Sequence, residues 1–416
     1  MPALNKVVTK VYLSPLLLFA IVIFFVGLGD AVMSYAAPMY IESHLNNAFL
    51  MGLVLSFSSL IGIIFDVLIS ERQWSRNYKF FIKSTLTISI MFPLSFLLLP
   101  AGTTTFLLGM FFWGAYYEYR GFSYYNFIHH FLARDQHTSG WAVIVGFSSF
   151  AYLLGTAIAA NILDLGYKTT FAFSLVVFLV AIIAYKIFLK LYGTHSGHAP
   201  GQPKTKRKGF QAEFIILKTI WRKVWPLFLF SFTVVLVDSC FWTVGILLAE
   251  EIKLTNRLGS LFLTFYTLPP IFAGLLAAKL QGNTGKKRTA FINGFIASIF
   301  LIGVGLLKNV PLVLAFVFLL SMFATVAATL HSAVIEDFVS RLHNYSSDMV
   351  TLELVSGSIA YVVGPIVMGF IAEVTGYRQA FVACGALLMV VSLFCMFVVP
   401  RKVKMPQAEL RELTLS

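Results

Sequence analysis

The chain has 416 residues, of which 58% are apolar and only 12% charged, where an ordinary soluble protein has about 25% charged. With 42 phenylalanines and a mean hydropathy of +0.84, it carries more apolar surface than one water-soluble core can hide, which excludes a soluble enzyme, a disordered chain and a coiled coil. The net charge of +13 sits between long apolar runs rather than on one polar domain, so it reads as membrane orientation and not as nucleic-acid binding.

At the start, Lys6 and Lys10 precede an apolar run, and Ser34-Tyr35-Ala36 resembles a cleavage site, an arrangement that imitates a signal peptide. The run is too long for an h-region and contains Asp30, so it is expected to be an uncleaved first span. A helix crossing the hydrocarbon needs about 20 mostly apolar residues. Twelve such stretches occur, at roughly 12–40, 47–70, 79–100, 103–127, 138–163, 170–192, 225–249, 257–281, 289–308, 310–335, 349–374 and 378–400. The expected fold is therefore all-α and integral to the membrane.

Taking the candidate residues in chain order, a carboxylate within a span costs about 2.5–3.5 kcal/mol on insertion scales, so Asp30 in the first span needs a reason. In the fourth span Trp113, Tyr117, Arg120 and Tyr124 are spaced 4, 3 and 4 apart and fall on one helical stripe. A guanidinium among aromatic rings suits an anionic or aromatic ligand. The alternatives are that Arg120 pairs with an acid of another helix, Asp30 or Asp238, or reaches for the interface. His129, His130, Arg134 and Asp135 fall in a turn after that span.

Residues 193–224 form the longest polar interruption. Their Gly/Pro/Ser-rich start, containing His195 and His198, and the cluster Lys204, Lys206, Arg207 and Lys208 read as a linker. Phe210, Phe214, Leu217 and Trp221, flanked by Lys218 and Arg222, predict a short amphipathic helix on the inner leaflet. The expected organisation is a first bundle over 1–192, this linker, a second bundle over 225–400 and a tail over 401–416.

Asp238 lies in the seventh span, Pro269-Pro270 interrupts the eighth, and His331 sits near the end of the tenth, ahead of Glu336 and Asp337. His331 is the span-embedded side chain suited to a proton relay, and equally to a plain hydrogen bond to a helix. Cys240, Cys384 and Cys395 have neither disulfide nor metal spacing. Residues 282–287 miss the phosphate-loop pattern, and no hydrolase or metalloprotease motif occurs, so an ATP-driven pump and an intramembrane enzyme are excluded. No cofactor and no metal are expected.

With both termini inside, 25 of the 31 lysines and arginines fall on the cytoplasmic side, five outside and Arg120 within a span. An internal repeat agrees with this even count. Ser149-Phe150-Ala151-Tyr152-Leu153-Leu154-Gly155 recurs as Ser358-Ile359-Ala360-Tyr361-Val362-Val363-Gly364 at an offset of 209, and Gly166-Tyr167-Lys168 as Gly376-Tyr377-Arg378 at 210. Asp30 falls on Asp238 at 208. Six spans have been duplicated in parallel orientation to make two pseudo-symmetric six-helix bundles.

Two six-span halves joined by a basic linker resemble the major facilitator superfamily over residues 12–400. Gly62 to Asp66 with Arg72, Arg76 and Lys79 partly matches its loop signature, although Val67 stands where a basic residue is usual; Gly364-Pro365 resembles its Gly-Pro helix element. The resemblance implies a secondary transporter working by alternating access, with the first, fourth, seventh and tenth spans lining the solute path. It also implies gating roles for Asp66, Arg72, Arg76, Gly364 and Pro365. The resulting expectation is proton-coupled movement of a small organic solute, with Asp30, Asp238 and His331 as proton-carrying candidates and export ahead of uptake. An uncoupled facilitator or importer, and a transport-dead receptor or scaffold, are the alternatives. The chain is expected to act as a monomer in the bilayer of the inner membrane, with solute and protons as partners.

Overall fold

The computed structural model describes residues 15–70, 78–132, 137–193, 210–273, 285–342 and 345–400. Arg72, Arg76, Arg134, His195, His198, the Lys204 to Lys208 cluster and the tail from Arg401 lie outside them. The described residues contain helices and turns and no strand. The first half holds α1 (Pro15–Leu45), α2 (Ala48–Ser70), α3 (Tyr78–Leu98), α4 (Thr103–Phe131), α5 (His137–Ile162) and α6 (Tyr167–Tyr192). The second holds α7 (Phe210–Phe241), α8 (Val244–Thr255), α9 (Phe262–Thr267), α10 (Lys286–Leu306), α11 (Val310–Leu342), α12 (Ser346–Thr375) and α13 (Tyr377–Val398).

Ten segments of the described residues are long and apolar enough to cross a membrane. The fourth and eighth predicted spans are the two not among them. α4 is 29 residues long, but Glu118, Arg120 and a series of tyrosines interrupt its apolar run. The eighth predicted span is broken into a 3-10 turn over Arg257–Leu261, the short α9 and a bend at Leu268-Pro269. Two consecutive prolines lack the backbone donors a continuous helix needs there.

The seventh predicted span also differs from its expected single helix over 225–249. It begins at Phe210, continuous with the segment expected to lie apart as an amphipathic helix, and breaks at Trp242-Thr243 before resuming as α8. Thr243 has φ −120° and ψ −86°, and its hydroxyl donates to the Ser239 carbonyl at 2.7 Å, a back-bond that competes with the helical ladder. Two residues of the stripe read from the sequence are exposed, and a different set packs inside the unit. Phe214 and Trp221 are 60% and 44% exposed, whereas Ile216, Ile220 and Val224 are buried in one cluster with Phe338 and Leu342 of α11.

The chain divides into two compact units, Met1–Gln202 and Pro203–Ser416. In the first, α1 packs on α5 and α6, α4 on α3 and α2, and α3 on α6. In the second, α7 packs on α12 and α13, α11 on α10 and α9, and α10 on α13. Shifted by six spans, these are the same pairings, so the sequence repeat is a repeat of packing.

The repeated glycines show why. Gly166 and Gly376 precede α6 and α13 with φ 102°, ψ 156° and φ 101°, ψ 160°, a region open essentially to glycine alone. A Cβ on Gly166 would meet nothing within 4 Å, so Gly166→Ala isolates backbone strain from packing. It should cost about 1–3 kcal/mol, read as a lower thermal midpoint of the purified protein. Gly102→Ala, equally open but extended at φ 169°, should leave the midpoint unchanged.

Candidate functional site

α1 is buried on every face from Val26 to Pro38, a stretch rich in glycine and alanine that lets neighbouring helices approach closely. A Cβ on Gly155 of α5 would lie 2.5 Å from the Ala31 Cβ. That approach brings the Tyr152 hydroxyl onto Asp30, where it donates to Oδ2. From α4, Arg120 Nη1 donates to the same oxygen at 2.7 Å. Trp113 Nε1 and the Tyr117 hydroxyl reach Oδ1 at 3.3 and 3.4 Å. Asp30 stands at the middle of a 31-residue helix and is 1% exposed.

Arg120 is paired with Asp30. Its guanidinium lies over the Tyr117 and Tyr116 rings, with centroids at 4.5 and 5.3 Å. The hydrogen bonds it makes among the described residues, to Asp30, Tyr116 and Tyr152, all leave from Nη1. The Nε and Nη2 donors of this 16%-exposed side chain keep no protein partner there, so one edge of the fork is free for an anion. Tyr124 separates from the predicted stripe: its buried hydroxyl has no hydrogen-bond partner, and with Phe19, Val22 and Ser123 it lines a small cavity one turn away. Tyr116 and Tyr152 complete the cluster instead; the sequence marked Tyr152 only as a landmark of the repeat.

The second unit repeats the contact with different partners. Tyr361 of α12 donates to Asp238 Oδ2, as Tyr152 does to Asp30. Gly364 provides the close approach, where a Cβ would lie 2.4 Å from Ser239 Oγ. Tyr266 of α9, stacked on Phe241 at 3.9 Å, donates to Oδ1 at 2.6 Å. At an offset of 209 the position of Arg120 is Thr329, and among the described residues no cation pairs with Asp238. Asp238 is half-buried, and its partners among the described residues are neutral donors. It sits one turn before the Trp242-Thr243 break.

His331 of α11 is buried, with Nε2 3.5 Å from Glu353 Oε1 of α12, and Ser231 of α7 donates to that oxygen at 2.7 Å. Glu353 escaped the sequence reading. Asp66 is half-buried near the C-terminal end of α2, and its proposed partners Arg72 and Arg76 lie outside the described residues. Its charged neighbour among those described is Glu118 of α4, an acid, which faces Gly62. Pro365 lies inside α12, directly after Gly364 on the Ser239 contact, and Asp348 is buried in the first turn of the same helix.

Residues 227–416 match the family model of the Major Facilitator Superfamily. No curated protein sequence matches the chain. Among solved structures the chain is similar to the nucleoside transporter NupG, with a TM-score of 0.75 and 13% identity over 93% of this chain and 100% of that one. A POT family transporter in complex with a thioalcohol-conjugated peptide gives a TM-score of 0.71 and 14% identity over 92% and 96%. A bacterial homologue of the human lysosomal transporter Spinster, in an inward-facing and unoccupied conformation, gives 0.70 and 14% over 92% and 95%. Over 92–93% of its length the chain therefore has the fold of these solved transporters, its residues 227–416 match the Major Facilitator Superfamily in sequence, and its ten long apolar helices make it a multi-pass membrane protein.

Proposed function

We propose that the chain is a proton-coupled secondary transporter of a small organic solute, working by alternating access with both termini in the cytoplasm. The observation that carries the coupling is the difference between two acids at one repeat position. Asp30 is neutralised by Arg120, while Asp238 is partly exposed and its donors among the described residues are neutral. A carboxylate in lipid without a cation is costly, and one that binds a proton in one state and releases it in another removes that cost for part of the cycle. Asp238 is the proton carrier in this reading, and Asp30 is the fixed counter-ion that aims Arg120.

The free edge of Arg120, backed by Tyr116 and Tyr117, fits the carboxylate or another planar anion of an aromatic solute. Transport of small organic solutes also accords with the nucleoside and peptide transporters that share the fold. The test is accumulation in proteoliposomes under an imposed proton gradient, using nucleosides, dipeptides, and aromatic carboxylates beside their neutral amides. Accumulation of an aromatic carboxylate over its amide, collapsed by a protonophore, is the expected result. Downhill movement indifferent to the protonophore would make the chain a facilitator, and no binding of any solute class would leave a receptor or scaffold.

A further inference from the structure

We propose that His331, Glu353 and Ser231 form a second proton-holding site, in which one proton is shared between the imidazole and the carboxylate. The site is separate from Asp238. Ser231 and Asp238 are seven residues apart on α7, about 10 Å along the axis, and Glu353 and Tyr361 are eight apart on α12, about 12 Å. Both carboxylates thus lie on the α7–α12 seam, Glu353 two turns nearer the helix N-termini.

The geometry asks for a proton. Glu353 Oε1 accepts from Ser231 at 2.7 Å and lies 3.5 Å from His331 Nε2, yet Nε2 and Glu353 Oε2 are buried atoms without a hydrogen-bond partner among the described residues. Two orphaned polar atoms in apolar packing each cost about 1–3 kcal/mol. A proton on Nε2 turns the close approach into a charge-assisted hydrogen bond and removes part of that cost. The His331 and Glu353 side chains are 4% and 24% exposed, so the histidine is the more enclosed of the two.

Among the described residues the neighbouring ionisable groups are engaged elsewhere or stand further along their helices. α7 presents Ser231, and the rest of the shell includes the Phe230 ring, 5.6 Å from the imidazole. On α11 Asp337 is paired with Lys286 of α10, and Lys287 of α10 binds the Pro400 carbonyl. On α12 Asp348 lies five residues back, in the first turn. Duplication does not account for the cluster either. At the offsets of the repeat, Ser231, His331 and Glu353 correspond to Ile23, Phe122 and Ile144, so the second half carries three polar side chains where the first has apolar ones. Replacing core apolar groups by an unsatisfied polar set destabilises the fold, and binding a proton is the use this geometry offers.

The inference refines the coupling proposal but is tested without transport. In the full chain labelled with 15N-histidine, the His331 resonance is identified by its loss in His331→Gln. At pH 7 it should be that of the doubly protonated ring. It should move to the neutral-ring position in Glu353→Gln, which keeps the Ser231 bond, and stay in place in Asp238→Asn. A neutral ring in the parent, or a resonance indifferent to Glu353→Gln, would overturn the site. Movement in Asp238→Asn would merge the two sites into one and overturn their separation. A transport failure of Asp238→Asn alone bears only on the coupling proposal.

Discussion

Asp238→Asn should abolish pH-driven accumulation of solute in proteoliposomes while leaving exchange of labelled for unlabelled solute at equal pH. The amide keeps the size of the carboxyl, its oxygen can accept from one tyrosine while its NH2 donates to the hydroxyl of the other, and it cannot release a proton. The expected change is therefore complete in one assay and small in the other. Tyr361→Phe removes one donor and keeps the ring, so it should weaken pH-driven accumulation without eliminating it. Equal loss of both activities in Asp238→Asn would mean that the residue holds the fold or the solute and does not carry the proton.

Arg120→Ala should be the more destabilising substitution in the first unit. It leaves Asp30, at 1% exposed, as a buried carboxylate without its cation, and breaking one partner out of a buried pair costs about 3–5 kcal/mol. Asp30→Asn should cost less, because Arg120 retains 16% exposure, two tyrosine rings and the Tyr116 and Tyr152 hydroxyls. In Asp30→Asn with Arg120→Gln together, neither charge is stranded. Its thermal midpoint should lie well above that expected from adding the single losses. Anion transport should remain absent in every variant lacking Arg120. Simple additivity would mean that the pair contributes nothing jointly to stability.

Much of this arrangement was legible in the sequence because the duplication preserved landmarks that are also contacts. Tyr152 and Tyr361, Gly155 and Gly364, and Asp30 and Asp238 recur at spacings of 209, 209 and 208 because each set builds the same junction of three groups. The stripe on α4 likewise indicated Arg120, Tyr117 and Trp113, since helical periodicity reports which residues share a face.

Periodicity says nothing of what stands opposite, so it did not choose among the partners of Arg120 or detach Tyr124. Glu353 was missed for a related reason. Its importance comes from Ser231 and His331, which are 122 and 22 residues away and meet it only through helix packing. The break at Trp242-Thr243 carries no proline or glycine at the break itself; a threonine hydroxyl turned back on its own helix produces it. On α7 the aromatic stripe marked a face for the inner leaflet but not the face that packs: the smaller Ile216, Ile220 and Val224 pack on α11 while Phe214 and Trp221 face outward.

The central claim is that the two repeated aspartates have diverged, one fixed by a cation and the other free to take up a proton. Infrared difference spectra of the purified protein, recorded between acid and neutral pH, report the carboxyl C=O stretch of groups that change protonation. The account predicts that one component of this band is lost in Asp238→Asn, while the Asp30→Asn spectrum keeps that component unchanged. A parent-like spectrum in Asp238→Asn, or loss of the component in Asp30→Asn instead, would contradict it.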